Sequence, residues 1–326
     1  MPAVLLVYRV RSPFLLADRD ILRRHFDVEE FCWPEHARPA RELVRWMRRN
    51  RRSYDLVFSW FGNTHASIAT SMAWLQRKPS IIQVGGYDVS DIPHYGFLAT
   101  RNGMMWARLH FRLASRVLAV SRDLESKLHA QFPRTHGRTI ILPTGVDVQR
   151  FRPQGPKVRR VLSVAPAGDW PRASVKGWDR IAAVARRLPE VPFRLFGAGS
   201  GIAEMLQPPR NLEVLGPVPQ DDLVPEYREA AVYLQASRSE GMPNAVMEAM
   251  ASGCVPVVTG VGGMPDLVGD AGFVVAGRPE ALAAGVSQAF ENVPLGEKAR
   301  NRVVELYSLA RREAGLVAVI EELLHR

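Results

Sequence analysis

Short apolar runs rich in β-branched residues recur along the chain, and between them lie longer segments in which apolar residues return every three or four positions. This alternation constrains the fold more than any other feature. A strand-length run followed by an amphipathic helix is a βα unit, and such units bury their apolar faces by stacking into parallel sheets covered by helices. Strand runs are read at residues 4–8, 56–59, 80–84, 117–120 and 139–142, then at 161–164, 193–196, 212–215, 232–235, 255–258 and 272–275. Helices are read over 179–187, opened by Gly177 and closed before Pro189, and over 245–251, closed by Gly253. The segment Phe151-Arg152-Pro153-Gln154-Gly155-Pro156 sets two prolines and a glycine between periodic stretches and reads as a linker. At 326 residues and 47% hydrophobic content the chain can bury two cores, since single cores rarely grow past about 250 to 300 residues. The expectation is an α/β protein of two doubly wound domains, residues 1–152 and 153–305, with a helix over 306–326 that returns to the first.

The apolar runs are far shorter than the roughly 18 residues that span a bilayer, and the first run lacks the basic leader of a secretory signal. Two cysteines, Cys32 and Cys254, are too few for a disulfide framework or a zinc site. A cytoplasmic protein is expected. The net charge of +10 is distributed unevenly: residues 1–152 hold 24 Lys+Arg against 13 Asp+Glu, and the rest 19 against 20. A basic N-terminal half implies an anionic partner, whether nucleic acid, lipid surface or phosphorylated substrate.

The sharpest local signal runs from Ser237 through Glu240-Gly241-Met242-Pro243-Asn244-Ala245 to Glu248 and Gly253. A strand ends near Gln235, a turn follows, and a helix starts near Asn244, so free backbone N–H groups face out of the strand end and can hold an anion. Glu240 in the turn and Glu248 inside the helix are spaced to flank a ligand, and an ionised carboxylate accepts several hydrogen bonds from sugar hydroxyls. Each also has a plainer reading, Glu248 as complement to the helix dipole and Glu240 as a solvated loop acid.

The stretch resembles the E-x7-E motif of retaining GT-B glycosyltransferases, in particular family 4, the glycosyl transferases group 1. Downstream, Gly253-Cys254-Val255-Pro256-Val257-Val258-Thr259 and Gly262-Gly263-Met264-Pro265-Asp266 are similar to the strand and glycine turn that follow in that family. Upstream, Val117-Leu118-Ala119-Val120-Ser121 and Leu142-Pro143-Thr144-Gly145-Val146-Asp147 resemble the close of its N-terminal domain, so the likeness covers residues 80–290. The resemblance implies two Rossmann-like domains facing a central cleft and a nucleoside-diphosphate sugar as donor. Glu240 would sit near the transferred sugar, Glu248 would hold the ribose, and Gly241, Met242, Pro243, Asn244 and Ala245 would face the sugar and diphosphate. Lys176, followed by Gly177, resembles the lysine that neutralises the leaving diphosphate, with Arg172 as its companion. Gly197 and Gly199 would line the nucleotide, and Val218 and Pro219 the base. On the acceptor side the family's usual glycine-rich loop is replaced by Tyr8-Arg9-Val10-Arg11-Ser12-Pro13-Phe14. Its usual histidine is missing from Gln83-Val84-Gly85-Gly86-Tyr87-Asp88-Val89. That segment, with Ile92-Pro93-His94-Tyr95-Gly96, resembles a subgroup of surface-polysaccharide transferases, which implies acceptor-side roles for Gly86 and Ser121 and a catalytic one for Asp88. The family's chemistry implies retention at the anomeric carbon, neither metal nor cofactor, and a glycan or lipid-linked acceptor.

Two competing readings follow from other residues. Asp18-Arg19-Asp20 is formally the D-x-D motif of metal-dependent transferases, but it lies in a helix-like run over 16–26, where its acids can pair with Arg23 and Arg24. A pI near 10.1 fits a nucleic-acid-binding protein, although no recognisable nucleic-acid module accompanies it. Within residues 41–52, Leu43, Trp46 and Met47 share one helical face and Arg41, Arg45, Arg48, Arg49 and Arg52 lie beside or opposite it. That pattern outlines an interfacial helix at an anionic membrane surface, or equally a surface helix packed on its own domain.

Overall fold

Successive apolar runs are separated by helices, the connection that brings a chain back to start a parallel neighbour. The computed structural model describes residues 1–35, 37–90 and 96–325. Its elements begin with β1 (Ala3–Tyr8), α1 (Pro13–His25), β2 (Asp27–Cys32), α2 (Pro39–Arg49), β3 (Leu56–Trp60), α3 (Thr64–Leu75), β4 (Ser80–Val84), α4 (Arg101–Leu113), β5 (Arg116–Ala119), α5 (Arg122–Gln131) and β6 (Thr139–Ile141). They continue with β7 (Val158–Ala167), α6 (Trp170–Val175), α7 (Trp178–Arg187), β8 (Phe193–Ala198), α8 (Ile202–Leu206), β9 (Leu212–Leu215), α9 (Gln220–Glu229), β10 (Ala230–Gln235) and α10 (Asn244–Ala251). The chain ends with β11 (Val255–Thr259), α11 (Met264–Val268), β12 (Phe273–Val275), α12 (Pro279–Glu291), α13 (Leu295–Leu306) and α14 (Leu309–Leu324).

Two six-stranded sheets result, ordered β2-β1-β3-β4-β5-β6 and β12-β11-β10-β7-β8-β9, with parallel pairing throughout. The compact units are Met1–Gly145 with Ala310–Arg326, and Val146–Leu309. Both crossings lie together, since Val146 and Ser308 form a parallel bridge. The crossing precedes the proline-rich linker, because Phe151 is buried in the second unit with its ring 5.7 Å from that of Tyr227. Every strand run read from the sequence is a strand, displaced at its ends by at most three residues. The addition is β2, a half-exposed edge strand whose Asp27, Glu29 and Glu30 disguise it.

In the first unit, side-chain alternation sends Val4, Leu6 and Tyr8 of β1 into one core and Leu5 and Val7 into the other. The first core is closed by Leu15, Ile21 and Leu22 of α1 with Leu316, Val319, Ile320 and Leu323 of α14. The second core takes Leu43 and Met47 of α2, both fully buried, and Trp46 stacks on Tyr54 at 5.9 Å. The apolar face of α2 is therefore committed to its own sheet, which corrects the reading of that face as a membrane-inserting one. Its arginines, Arg41, Arg45, Arg48 and Arg49, remain exposed.

Candidate functional site

In an open parallel sheet the natural crevice lies beyond the carboxyl ends of the strands, where successive connections leave in opposite directions. In the second unit this switch point falls between β7 and β10, and the C-terminal site residues named above gather around it. Glu240 lies in the turn between β10 and α10, its side chain 7% exposed. Lys176 Nζ donates to both its oxygens, at 2.7 and 2.9 Å. Glu240 Oε1 also accepts from Ser237 Oγ at 2.7 Å and from Gln235 Nε2 at 3.2 Å. Gln235 is oriented in turn by the buried Tyr233 hydroxyl, which donates to its Oε1 at 3.0 Å. A line of buried polar groups thus runs from the sheet into the turn and fixes the carboxylate.

Two glycines make this close packing possible. Gly177 has φ +76, and a Cβ there would lie 2.0 Å from the Ala236 carbonyl oxygen, so only glycine lets the joint after Lys176 press against the end of β10. Gly262 has φ +59, and a Cβ would stand 1.9 Å from the carbonyl oxygen of Glu240. From the same turn Gly263 N–H donates to Gly241 O at 2.7 Å.

Glu248 faces inward from α10 and is 7% exposed. Burial pushes its carboxyl upward, opposed by Tyr227, Gln220 and Arg150. Gln220, the first residue of α9, donates a short hydrogen bond to Glu248 Oε1. Its own Oε1 accepts from Arg150 Nη1 at 2.9 Å, and Arg150 Nη2 reaches Asp221 at 2.6 Å. Gln220, Arg150 and Tyr227 carry no local sequence signal, except that Gln220 directly follows Val218-Pro219. On the other side, Gly197 (φ +107) and Gly199 bring the end of β8 against that of β7. A Cβ on Gly197 would lie 2.7 Å from Pro166 Cα, and one on Gly199 2.8 Å from Gly168 O. Arg172 lies exposed in α6, and its guanidinium donates to Pro166 O at 3.3 Å. That contact holds it to its own loop rather than to the Lys176–Glu240 pair.

The acceptor-side residues of the first unit have structural partners. Asp88 is fully buried and accepts N–H bonds from Gly62 at 3.0 Å, Gly85 at 3.1 Å and Gly86 at 2.8 Å. Burial raises its pKa and these amides lower it. It ties the loop after β4 to the loop after β3. Gly86, with φ +128, holds a backbone conformation that side chains disfavour. Ser121 caps α5 by accepting from Leu124 N–H at 3.3 Å. Ile92, Pro93, His94 and Tyr95 lie outside the described residues. Two histidines missed in the sequence are buried beside the Gly62 loop: His65 Nε2 donates to Trp60 O at 2.8 Å, and His110 Nδ1 pairs with Ser67 Oγ at 2.7 Å.

The D-x-D reading fails on geometry. Asp18 is 2% exposed and paired through both oxygens with Arg312, at 2.9 and 2.6 Å, and it accepts from Trp60 Nε1 at 2.7 Å. Asp20 is exposed and pairs with Arg19, while Arg23 and Arg24 pair with Glu30 and Glu313. The two carboxylates do not converge on a metal.

Two family models match the chain, "Glycosyltransferase Family 4" over residues 5–150 and "Glycosyl transferases group 1" over residues 167–292. A putative teichuronic acid biosynthesis glycosyltransferase of Bacillus subtilis is 26% identical over 245 residues, 72% of this chain and 60% of that protein. An MMP α-(1→4)-mannosyltransferase of Mycolicibacterium hassiacum is 26% identical over 98% of this chain and 84% of its own length. Among solved structures, sucrose-phosphate synthase from Thermosynechococcus elongatus superposes with a TM-score of 0.78 at 15% identity, over all of both chains. Anabaena HepE in complex with UDP gives 0.78 at 17% identity, over 99% of this chain and 100% of that one. Matched in both halves and built on the same GT-B frame of two parallel sheets, the chain belongs to the group 1, family 4 glycosyltransferases.

Proposed function

We propose that the protein transfers a hexose-type sugar, with retention, from a nucleoside-diphosphate sugar to a hydroxyl of a glycan or lipid-linked acceptor in polysaccharide or glycolipid synthesis. The observation that carries this reading is the Lys176–Glu240 pair at the carboxyl end of β10, next to the amides that open α10. Solved neighbours were captured with UDP, with UDP and glucose, and with UDP-glucose, and relatives carry teichuronic acid and mannosyl transferase names.

In this reading the diphosphate draws Lys176 away from Glu240, and Glu240 then accepts from the hydroxyls of the donor sugar. As the anomeric bond breaks, negative charge grows on the diphosphate, and Lys176 with the amides of Met242 to Ala245 stabilises it. Arg172 adds its charge by leaving the Pro166 carbonyl. Glu248, held by Gln220, accepts from the ribose hydroxyls, while Val218 and Pro219 pack the base. These cationic and amide groups take the place of a metal. The acceptor hydroxyl enters from the face the diphosphate leaves, and the basic first unit works against an anionic membrane surface at the inner face of the cell membrane. A thermal-shift screen of nucleotide sugars, followed by product analysis with each hit, tests the reading. Stabilisation by a nucleoside-diphosphate sugar and a product of unchanged anomeric configuration are expected; no response to any donor sinks it.

A further inference from the structure

We propose that the outer surface of the α2–α3–α4 layer docks on an anionic phospholipid bilayer, with the apolar contact made by α3 and α4 rather than by α2. The inference rests on the membrane part of the proposed function and gives it a surface. In the structure α3 packs against both α2 and α4, so the three helices form one layer, in which α3 is covered except at its C-terminal end. The stripe of α2 is Arg41, Arg45 and Arg48, continued just past the helix by Arg52, all exposed and spaced four, three and four residues apart. The middle helix ends on Trp74 and Leu75, 58% and 65% exposed. Gln76, which follows them, donates to Met47 O at 3.1 Å, so this apolar end sits beside the arginine end of α2. On α4, Met105 and Leu109 are 57% and 37% exposed and alternate with the exposed Arg101, Arg108 and Arg112.

Charge complementarity selects the occupant. Neither α3 nor α4 contains an acidic residue, and the single acid of α2, Glu42, accepts the Arg38 N–H at 2.9 Å. A face with arginines and large apolar side chains but almost no acid fits phosphate headgroups and the acyl boundary below them. A nucleic acid would use the arginines but has no use for exposed Leu75, Met105 and Leu109, since its bases stack on rings. The same apolar side chains distinguish the face from an ordinary charged surface.

The test is co-sedimentation with vesicles of phosphatidylglycerol and phosphatidylcholine, or of phosphatidylcholine alone, at low and moderate salt. The full chain is compared with a Leu75→Ser, Met105→Ser, Leu109→Ser variant and an Arg45→Gln, Arg48→Gln, Arg52→Gln variant. Wild type should bind the anionic vesicles and not the neutral ones, with the arginine variant weakened on the order of a hundredfold at low salt and the serine variant also weakened. Trp74 should supply a blue shift in fluorescence that Trp74→Phe removes. Unchanged unfolding midpoints and donor hydrolysis in the variants keep loss of docking separate from loss of fold. No binding by wild type at low salt, equal binding by the variants, or binding to RNA in preference to vesicles would overturn the proposal. Vesicle binding without any donor hydrolysis would instead count against the proposed transfer reaction and leave this surface standing.

Discussion

Lys176 and Glu240 are 64 positions apart in the chain, and the geometry that joins them depends on the steric freedom of Gly177 and Gly262. Gly177→Ala would drive a Cβ into the Ala236 carbonyl at a left-handed φ, so it should lower activity and stability together. Substitutions at the charged groups should separate the two. Lys176→Ala removes a cation from the leaving diphosphate, and kcat is expected to fall about 10²- to 10³-fold, as when one preorganised donor to a developing anion is lost. Glu240→Ala should abolish transfer while the chain stays folded. Glu248→Ala should act chiefly on binding: a hydrogen bond to a charged group contributes about 1.5 to 3 kcal/mol, so nucleotide affinity measured by calorimetry should drop about ten- to a hundredfold. Unchanged affinity and turnover in both glutamate variants would remove these residues from the site. Turnover is also expected to survive a chelator, and strict dependence on a divalent ion would count against side-chain neutralisation of the diphosphate.

The helices α3 and α4 carry a pH dependence that belongs to elements rather than to the site. Burial pushes His65 down to about 4 and His110 to about 3, because the interior penalises the imidazolium. The unfolded chain takes up these protons near pH 6.5, so below that pH the unfolded state binds more protons and stability falls with pH. Each histidine should cost about 2 kcal/mol at pH 5 relative to neutral pH. Asp88 acts in the opposite sense, since burial raises its carboxyl. Denaturation at pH 7 and pH 5 checks the sign, and a His110→Gln variant should show the shallower slope. Neither histidine drew attention in the sequence, where a lone His in an apolar helix carries no mark of its surroundings. The same limit governs α2: its periodicity was plain, but an apolar stripe serves a sheet as well as a bilayer, and only the burial of Leu43 and Met47 decides between them. Strands were legible because both faces of a parallel sheet are apolar, and β2 was hidden because an edge strand tolerates acids. The turn between β10 and α10 was legible as a strand-to-helix junction with two glutamates. Arg150 and Gln220, which brace Glu248, act across sequence gaps that no local pattern records.

At the scale of the whole molecule, the first unit is discontinuous. The chain leaves it at Gly145, builds Val146–Leu309, and comes back at Ala310. The returning helix α14 supplies Leu316, Val319, Ile320 and Leu323 to a core whose other half is formed more than 250 residues earlier by β1, β3 and α1. It also supplies Arg312, 2% exposed, whose guanidinium serves Asp18, the Leu142 carbonyl and Gln83. Removing one partner of a buried pair leaves the other charged and unpaired, at about 3 to 5 kcal/mol, a large share of the stability of an ordinary domain. Arg312→Met should therefore destabilise the first unit. Truncation after Leu309 should go further, because it opens the apolar face of the sheet as well as orphaning Asp18. The second unit keeps every residue of its own core and of the proposed donor site in either variant. Limited proteolysis of the truncated chain is expected to digest residues 1–145 while sparing 146–309, and a nucleotide should still protect the surviving fragment. Cooperative loss of both units on truncation would show that α14 stabilises the second unit too, and that the donor site does not persist without the first.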